Sequence, residues 1–305
     1  MASILVTGGC GFIGINLVEK LVHEGHSVRV LDSNAYSSDR PLPSSVEFIE
    51  GSARDPDILG DAFKNIERCV HLAGNSVLRD PRGEKAGAVQ VFMESVKPLF
   101  AAAAEAGADI VYASSAAVYG EPNDIPIRED APLLPVSAHG VEKLALETCA
   151  AQFAETTGLA SLGLRMFNVF GPGQNPASPY CGVVRKFVDK LLHDEPVTLY
   201  GDGSQTRDFV FVDDVTDSIS RLVSTPLKGA DVVNICSGEE VTVRTVISVL
   251  EQAFNRRFEV RYEEADSTMV SVSVGDPTKG RRKYGIKKFM SFSEGANRMV
   301  DRVVV

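Results

Sequence analysis

Three glycines set three apart join an apolar run to a helical one near the start of this chain. Thr7-Gly8-Gly9-Cys10-Gly11-Phe12-Ile13-Gly14 follows Ile4-Leu5-Val6 directly. The apolar run reads as a strand. After it, Ile13, Leu17, Leu21 and Val22 recur at helical spacing, so 12–24 reads as a helix with Gly25 at its C-terminal cap. Glycine lets a chain turn sharply and lets backbone approach backbone. A strand, a tight loop and a helix in that order are the opening of a βαβ unit, and few folds begin that way.

The alternation continues downstream. Val28-Arg29-Val30-Leu31, residues 46–50 and Cys69-Val70-His71-Leu72 read as strands. Residues 84–106 read as a helix with Pro98 as a kink point, 110–113 as a strand, 137–157 as a long helix and 161–165 as a strand. Such alternation implies right-handed crossovers and a parallel sheet covered on both faces. The expected fold is therefore α/β, a Rossmann-type doubly wound parallel sheet. Beyond it, 171–179 is a loop rich in Gly, Pro and Asn, and Tyr200-Gly201-Asp202-Gly203-Ser204 is a turn. Helices are expected at 183–193, 214–224 and 242–254. These form a smaller α/β unit packed against the first, since no low-complexity linker separates them.

Composition narrows the function. The 305 residues are 44% hydrophobic and 24% charged, which excludes a mainly disordered chain or a fibre. No apolar run reaches membrane-spanning length, and Met1-Ala2-Ser3 leads into a strand without a basic segment, so no signal peptide is expected. The net charge of −10 opposes binding to a nucleic-acid backbone. Cys10, Cys69, Cys149, Cys181 and Cys236 fit no CxxC spacing, and the five His are scattered. Reduced thiols, a cytoplasmic location and no metal are the expectations.

The glycine loop lies where a parallel sheet binds phosphate. Backbone N–H groups and the positive end of a helix dipole suit a pyrophosphate. Asp32 ends the second strand, where a carboxylate accepts hydrogen bonds from ribose hydroxyls and repels a 2′-phosphate. No Arg follows Asp32 closely until Arg40, which favours NAD over NADP.

These residues resemble the extended short-chain dehydrogenase/reductase family, the NAD-dependent nucleotide-sugar epimerases and dehydratases, and among them UDP-galactose 4-epimerases. The resemblance spans almost the whole chain. Beside the glycine loop it rests on His71-Leu72-Ala73-Gly74 and on Tyr112-Ala113-Ser114-Ser115-Ala116-Ala117-Val118-Tyr119-Gly120. It continues through Leu164-Arg165-Met166-Phe167-Asn168-Val169-Phe170-Gly171-Pro172 and Tyr200-Gly201-Asp202-Gly203-Ser204-Gln205-Thr206-Arg207-Asp208-Phe209. It implies an NAD domain over 1–170 plus about 205–236, and a nucleotide-sugar domain over about 171–204 and 237–305. Implied cofactor contacts are Gly8, Gly11, Phe12, Ile13 and Gly14, then Asp32, Ala73, Gly74, Ser114, Lys143 and Phe167. Implied substrate contacts are Asn75, Asn168, Val183, Tyr200 and Arg207. A homodimer through helices near 84–106 and 137–157 is also implied.

The family carries out its chemistry with a Tyr-x-x-x-Lys pair on one helix face, assisted by a Ser that holds the sugar hydroxyl. Ser115 takes the Ser role and Lys143 the Lys role by resemblance. Where the Tyr is expected stands His139. A neutral imidazole can accept a proton near neutrality, and the nearby Lys143 ammonium lowers its pKa. Two readings stand: His139 is the working base, or a replacement that ended the family's turnover. Tyr284 and Lys288 repeat the spacing near the C-terminus, but no Ser-rich strand precedes them. Other departures are Phe92 where the family often carries an Asn, and Gly51-Ser52 where Gly-Asp usually meets adenine. No Arg stands in Glu264-Ala265-Asp266-Ser267, which leaves Arg207 and Arg185 for a substrate diphosphate. Ala116-Ala117 replaces the acid pair of 4,6-dehydratases. The expected activity is NAD-dependent epimerisation of a UDP-sugar at C4. The alternatives are an NAD-binding scaffold or sensor without turnover, and an oxidoreductase on another substrate.

Overall fold

Ile4, Leu5 and Val6 are all sealed from solvent although neighbouring side chains on a strand point to opposite faces. Ile4 and Val6 pack with Leu17 and Leu21 on one face, and Leu5 packs with Leu59 and Phe100 on the other. A strand buried on both faces is apolar without a break, which is why the run is legible.

The computed structural model describes residues 1–33, 40–74, 85–178, 181–264 and 270–303. The first half contains β1 (Ser3–Thr7), α1 (Phe12–His23), β2 (Ser27–Asp32), β3 (Glu47–Glu50), α2 (Pro56–Ala62) and β4 (Arg68–His71). There follow α3 (Lys85–Ala106), β5 (Asp109–Ser115), α4 (Ala138–Thr157) and β6 (Ser161–Met166). The second half contains β7 (Asn168–Phe170), α5 (Val183–Leu192), β8 (Val197–Tyr200), β9 (Thr206–Arg207), β10 (Phe209–Phe211) and α6 (Val212–Val223). It ends with β11 (Ala230–Ile235), β12 (Val241–Thr242), α7 (Val243–Phe254), β13 (Val260–Glu263), β14 (Val272–Ser273), α8 (Thr278–Tyr284) and α9 (Phe292–Val303).

Seven parallel strands form the main sheet in the order β3-β2-β1-β4-β5-β6-β11. The order reverses beside β1, and the doubly wound sheet expected from the alternation is present. Helices α1 and α6 cover one face, while α2, α3 and α4 cover the other. A third core gathers Phe170, Phe187, Phe209, Leu250 and Phe292 under α5, α7 and α9. Small two- and three-stranded sheets surround it. The short strands β7 to β10 and helices α2, α8 and α9 were not legible in the sequence, because each carries too few residues to show a period.

The crossover helices end where the site begins. Gly14 sits so close to the loop before it that a Cβ would lie 2.1 Å from the Gly8 carbonyl oxygen. Only glycine allows α1 to start there. All five cysteines are free thiols, and among the described residues no cluster of His, Cys, Asp or Glu is arranged to hold a metal ion. No described helix is long and apolar enough to cross a membrane.

Candidate active site

The C-terminal ends of the parallel strands open into one cleft of about 830 Å³. A doubly wound sheet places ligands at that edge, where the strand order reverses. Gly8, Gly11, Phe12 and Ile13 line it after β1, Asp32 after β2, Ala73 and Gly74 after β4, and Ser114 and Ser115 at the end of β5. His139 and Lys143 line it from α4, and Phe167, Asn168 and Val183 from the far side.

The phosphate end is built from backbone. Gly8 has φ +73, and a Cβ on it would stand 2.5 Å from the Ala73 nitrogen. The loops after β1 and β4 therefore touch through bare backbone. No side chain caps the N-terminus of α1, so the N–H groups of its first turn are left for whatever lies in the cleft. Asp32 accepts from the Cys10 N–H at 3.0 Å, which turns its carboxylate to the loop. The guanidinium of Arg40 is occupied: it donates to both carboxylate oxygens of Glu19 (2.9 and 2.5 Å) and to Asn16 Oδ1 at 3.0 Å. It is not offered to a 2′-phosphate. This cradle fits NAD.

The chemical end is built from α4. Ser137 caps this helix, its hydroxyl oxygen accepting from the Gly140 N–H at 3.1 Å. A Cβ on Gly140 would stand 2.3 Å from the Ala117 carbonyl oxygen, so α4 starts in contact with the turn that follows β5. His139 and Ser115 both line the cleft. Ser115 Oγ accepts from the Ala117 N–H at 3.2 Å. Lys143 donates from Nζ to the Ala113 carbonyl at 2.7 Å.

Burial and the Lys143 charge pull the His139 pKa down to about 4, and its place in the first turn of a helix acts in the same direction. His139 is thus a neutral imidazole at physiological pH. Burial lowers Lys143 to about 8, partly offset by Glu142. His71, whose Nδ1 lies 2.7 Å from Thr7 Oγ1, is lowered to about 3 by burial, Lys143 and Arg54.

Several side chains singled out in the sequence are placed differently from the rest. The Ser114 hydroxyl donates to Glu147 Oε1 at 2.5 Å and is turned into the core. Asn168 lines the cleft while its Nδ2 donates to the Asp208 carbonyl at 3.0 Å. Tyr200 is 47% exposed at the end of β8, and Arg207 donates to the Thr206 carbonyl at 2.7 Å; neither lines the cleft. Gly14 supports the loop without lining it. Asn75 lies outside the described residues. Tyr284 closes α8 with its hydroxyl on Asp231 at 2.5 Å, while Lys288 lies beyond that helix, so the second Tyr-x-x-x-Lys spacing is not a site.

Three cleft residues carry chemistry that the sequence reading did not assign. Arg54 and Gln174 reach it from loops. Glu142 stands with His139, Lys143 and Leu146 on one face of α4, a spacing legible in hindsight.

Comparison with known proteins agrees with this architecture. Residues 4–236 match the model of the NAD dependent epimerase/dehydratase family. A putative UDP-glucose 4-epimerase of Methanocaldococcus jannaschii is 31% identical over 301 residues, 98% of this chain and 97% of that one. Among solved structures, the UDP-glucose 4-epimerase of Thermotoga maritima with UDP-glucose is 30% identical with a TM-score of 0.89, covering 98% of this chain and 97% of the other. A dTDP-glucose 4,6-dehydratase of Streptomyces venezuelae, solved with NAD and TYD bound, is 26% identical with a TM-score of 0.86, covering 98% and 96%. The matching family model, the glycine cradle and the doubly wound sheet lead to one conclusion: this chain belongs to the NAD-dependent epimerase/dehydratase family.

Proposed function

We propose that the protein epimerises a UDP-sugar at C4, with His139 as the base. The observation that carries this reading is that Ser115, His139 and Lys143 line one cleft, with His139 half-buried and neutral. NAD, when bound, supplies the nicotinamide that takes and returns a hydride. The amides of the glycine loop hold its pyrophosphate and Asp32 accepts from a ribose diol. Lys143 donates to the second ribose, and its charge keeps the His139 imidazole unprotonated. Ser115 orients the sugar's C4 hydroxyl, and the imidazole accepts that proton as C4 gives up its hydride. Once the 4-keto sugar has turned over, hydride would return to the opposite face of C4 and the proton to O4, which leaves the reaction redox-neutral.

The far wall supplies the diphosphate site. Arg207 does not line the cleft; Arg185 in the first turn of α5 donates from Nε to the Gln174 carbonyl at 3.0 Å. Gln174 Oε1 is buried without a hydrogen-bond partner, and Arg185 NH1 makes no hydrogen bond but pairs with Asp189 Oδ1 at 3.6 Å. A guanidinium held against Gln174, which lines the cleft with an unpartnered oxygen, supports Arg185 as the diphosphate contact. The domain division expected from the sequence belongs to the same reading, with the NAD half on the main sheet and the sugar half around the third core. So does a homodimer through α3 and α4.

A second reading is favoured by one observation: an imidazole with a pKa near 4 is a weak base. It is a protein that holds NAD without turnover. Incubation of the NAD-loaded protein with UDP-galactose, UDP-glucose and dTDP-glucose, with products separated by chromatography, decides. Appearance of the C4 epimer supports the first reading. A 4-keto-6-deoxy product shows dehydration, and no product with NAD retained shows the second reading.

A further inference from the structure

Six cations and no acid stand between Asp276 and Glu294, in a chain whose net charge is −10. Helix α8 carries Lys279, Arg281, Arg282 and Lys283, and Lys287 and Lys288 follow it. Two of the six hold the helix in place: Lys279 and Lys283 each meet a carboxylate oxygen of Asp231 at 2.6 Å. Tyr284, Ile286 and Phe289 are buried. The other four cations are exposed, and so is Arg221 at the end of α6. Arg221 joins them in space, because its NH1 lies 3.2 Å from where a Cβ on Gly285 would stand. Among the described residues, none of Arg221, Arg281, Arg282, Lys287 and Lys288 forms an ion pair or a side-chain hydrogen bond. Like charges gathered without partners repel one another, and an anionic partner relieves that repulsion.

The patch is separate from the cleft. Asp231, which anchors α8, is the second residue of β11, whereas the cleft opens at the other, C-terminal ends of the strands. None of the five residues lines the cleft. Substrate and cofactor in the cleft are therefore not what these cations meet.

The chemistry of the patch narrows the partner. Exposed side chains on a helix leave a small anion solvated, so the partner has to touch several of them at once. A bilayer surface is held by charge together with inserted apolar side chains, and here the apolar ones are buried. A duplex presents phosphate over a long face and meets the chain's excess of acid as well as its patch. A short acidic segment meets the patch alone, and guanidinium groups suit carboxylates. We infer that the face formed by α8, Lys287, Lys288 and Arg221 docks an acidic polypeptide segment of another protein. This docking does not depend on the reaction in the cleft.

A fluorescein-labelled oligoglutamate peptide is the probe, read by anisotropy at physiological ionic strength and in raised salt. Phosphatidylserine-containing vesicles and a short DNA duplex are measured beside it. The protein is compared with the triple variant Arg281→Glu, Arg282→Glu, Lys287→Glu, and with the milder Arg281→Gln, Lys287→Gln, each checked for folding by thermal unfolding. Exposed ion pairs are individually weak, but reversing three charges together weakens binding by about tenfold or more. The expected result is that loss for the peptide, a smaller loss in the milder variant, and weaker binding as salt rises. Vesicles and duplex should bind less tightly than the peptide. No binding of the peptide by the wild type overturns the proposal, as does equal binding by wild type and variants. Tighter binding of vesicles or duplex also overturns it, by giving the patch to lipid or nucleic acid. Self-association of the wild type in ultracentrifugation that the triple variant abolishes overturns it by making a second copy the occupant.

Discussion

Replacing His139 by Phe removes the imidazole but keeps a ring of similar bulk on the wall of the cleft. Loss of a general base typically costs about 10²–10⁴ in rate, so His139→Phe should lower kcat by that factor and leave NAD affinity unchanged. Wild-type kcat in the Phe variant would remove His139 from the reaction. The pH profile adds an independent check. With His139 near 4 and Lys143 near 8, kcat/KM should be level between these values. It should fall above about 8 as Lys143 loses its charge; a rise through that range would contradict the assigned roles. These residues were legible because the Tyr-x-x-x-Lys spacing and the serine pair are local patterns. Arg207 does not line the cleft. Its position depends on how β9 packs, and its guanidinium meets backbone carbonyls of Thr206 and Ser271 instead.

Helix α4 is the element that turns these residues into a site. Its start rests on Gly140 against Ala117, and its middle is tied down by Glu147. The Glu147 carboxylate accepts from Arg165 Nε and NH2 at 2.9 and 2.8 Å and from the Ser114 hydroxyl. Arg165 NH1 also donates to the Tyr119 hydroxyl, which donates to Asn234 Oδ1. This network joins β5, β6 and β11 beneath the cleft. Arg165→Met should cost about 3–5 kcal/mol, because it leaves a buried carboxylate unpaired, measured by urea unfolding. Gly140→Ala should lower NAD affinity and kcat/KM together while the circular dichroism spectrum keeps its helical content, since the added methyl displaces the helix start. An unchanged kcat/KM in that variant would show that α4 tolerates the shift. The helix itself was readable from its length. Its anchors were not, since Glu147, Arg165 and Asn234 are far apart in the chain.

For the whole molecule, Asp208 ties the segments after β11 and β14 to the start of β10. Fully buried, it accepts from Ser237 N–H and Oγ at 2.8 and 2.7 Å, from Gly238 N–H at 2.9 Å and from Gly275 N–H at 3.3 Å. Asp208→Ala should cost about 3 kcal/mol or more, since several buried donors lose their acceptor at once. Acid should also destabilise the fold. His139 and His71 have folded pKa values of about 4 and 3, below the ordinary 6.5, so their contribution is complete above 6.5 and is lost as the pH falls through these values. Asp214 acts in the opposite sense: burial raises it to about 6, so its contribution is present below 3.8 and lost as the pH rises through 6. Two histidines against one carboxylate leave a net loss, and Tm should drop by several degrees between pH 6.5 and 4. A flat Tm over that range would argue against buried neutral imidazoles. By itself the sequence determined the parallel α/β fold, the glycine loop after β1, and a His four residues before Lys143. These depend on period and short spacing, and neighbouring residues enforce them through backbone geometry. Only the tertiary structure decided that Arg207 does not line the cleft, that Gln174 lines it with a buried oxygen lacking a partner, and that Glu142 lines it while nearly buried. Burial and missing partners are properties of the space between elements, and no local pattern encodes that space.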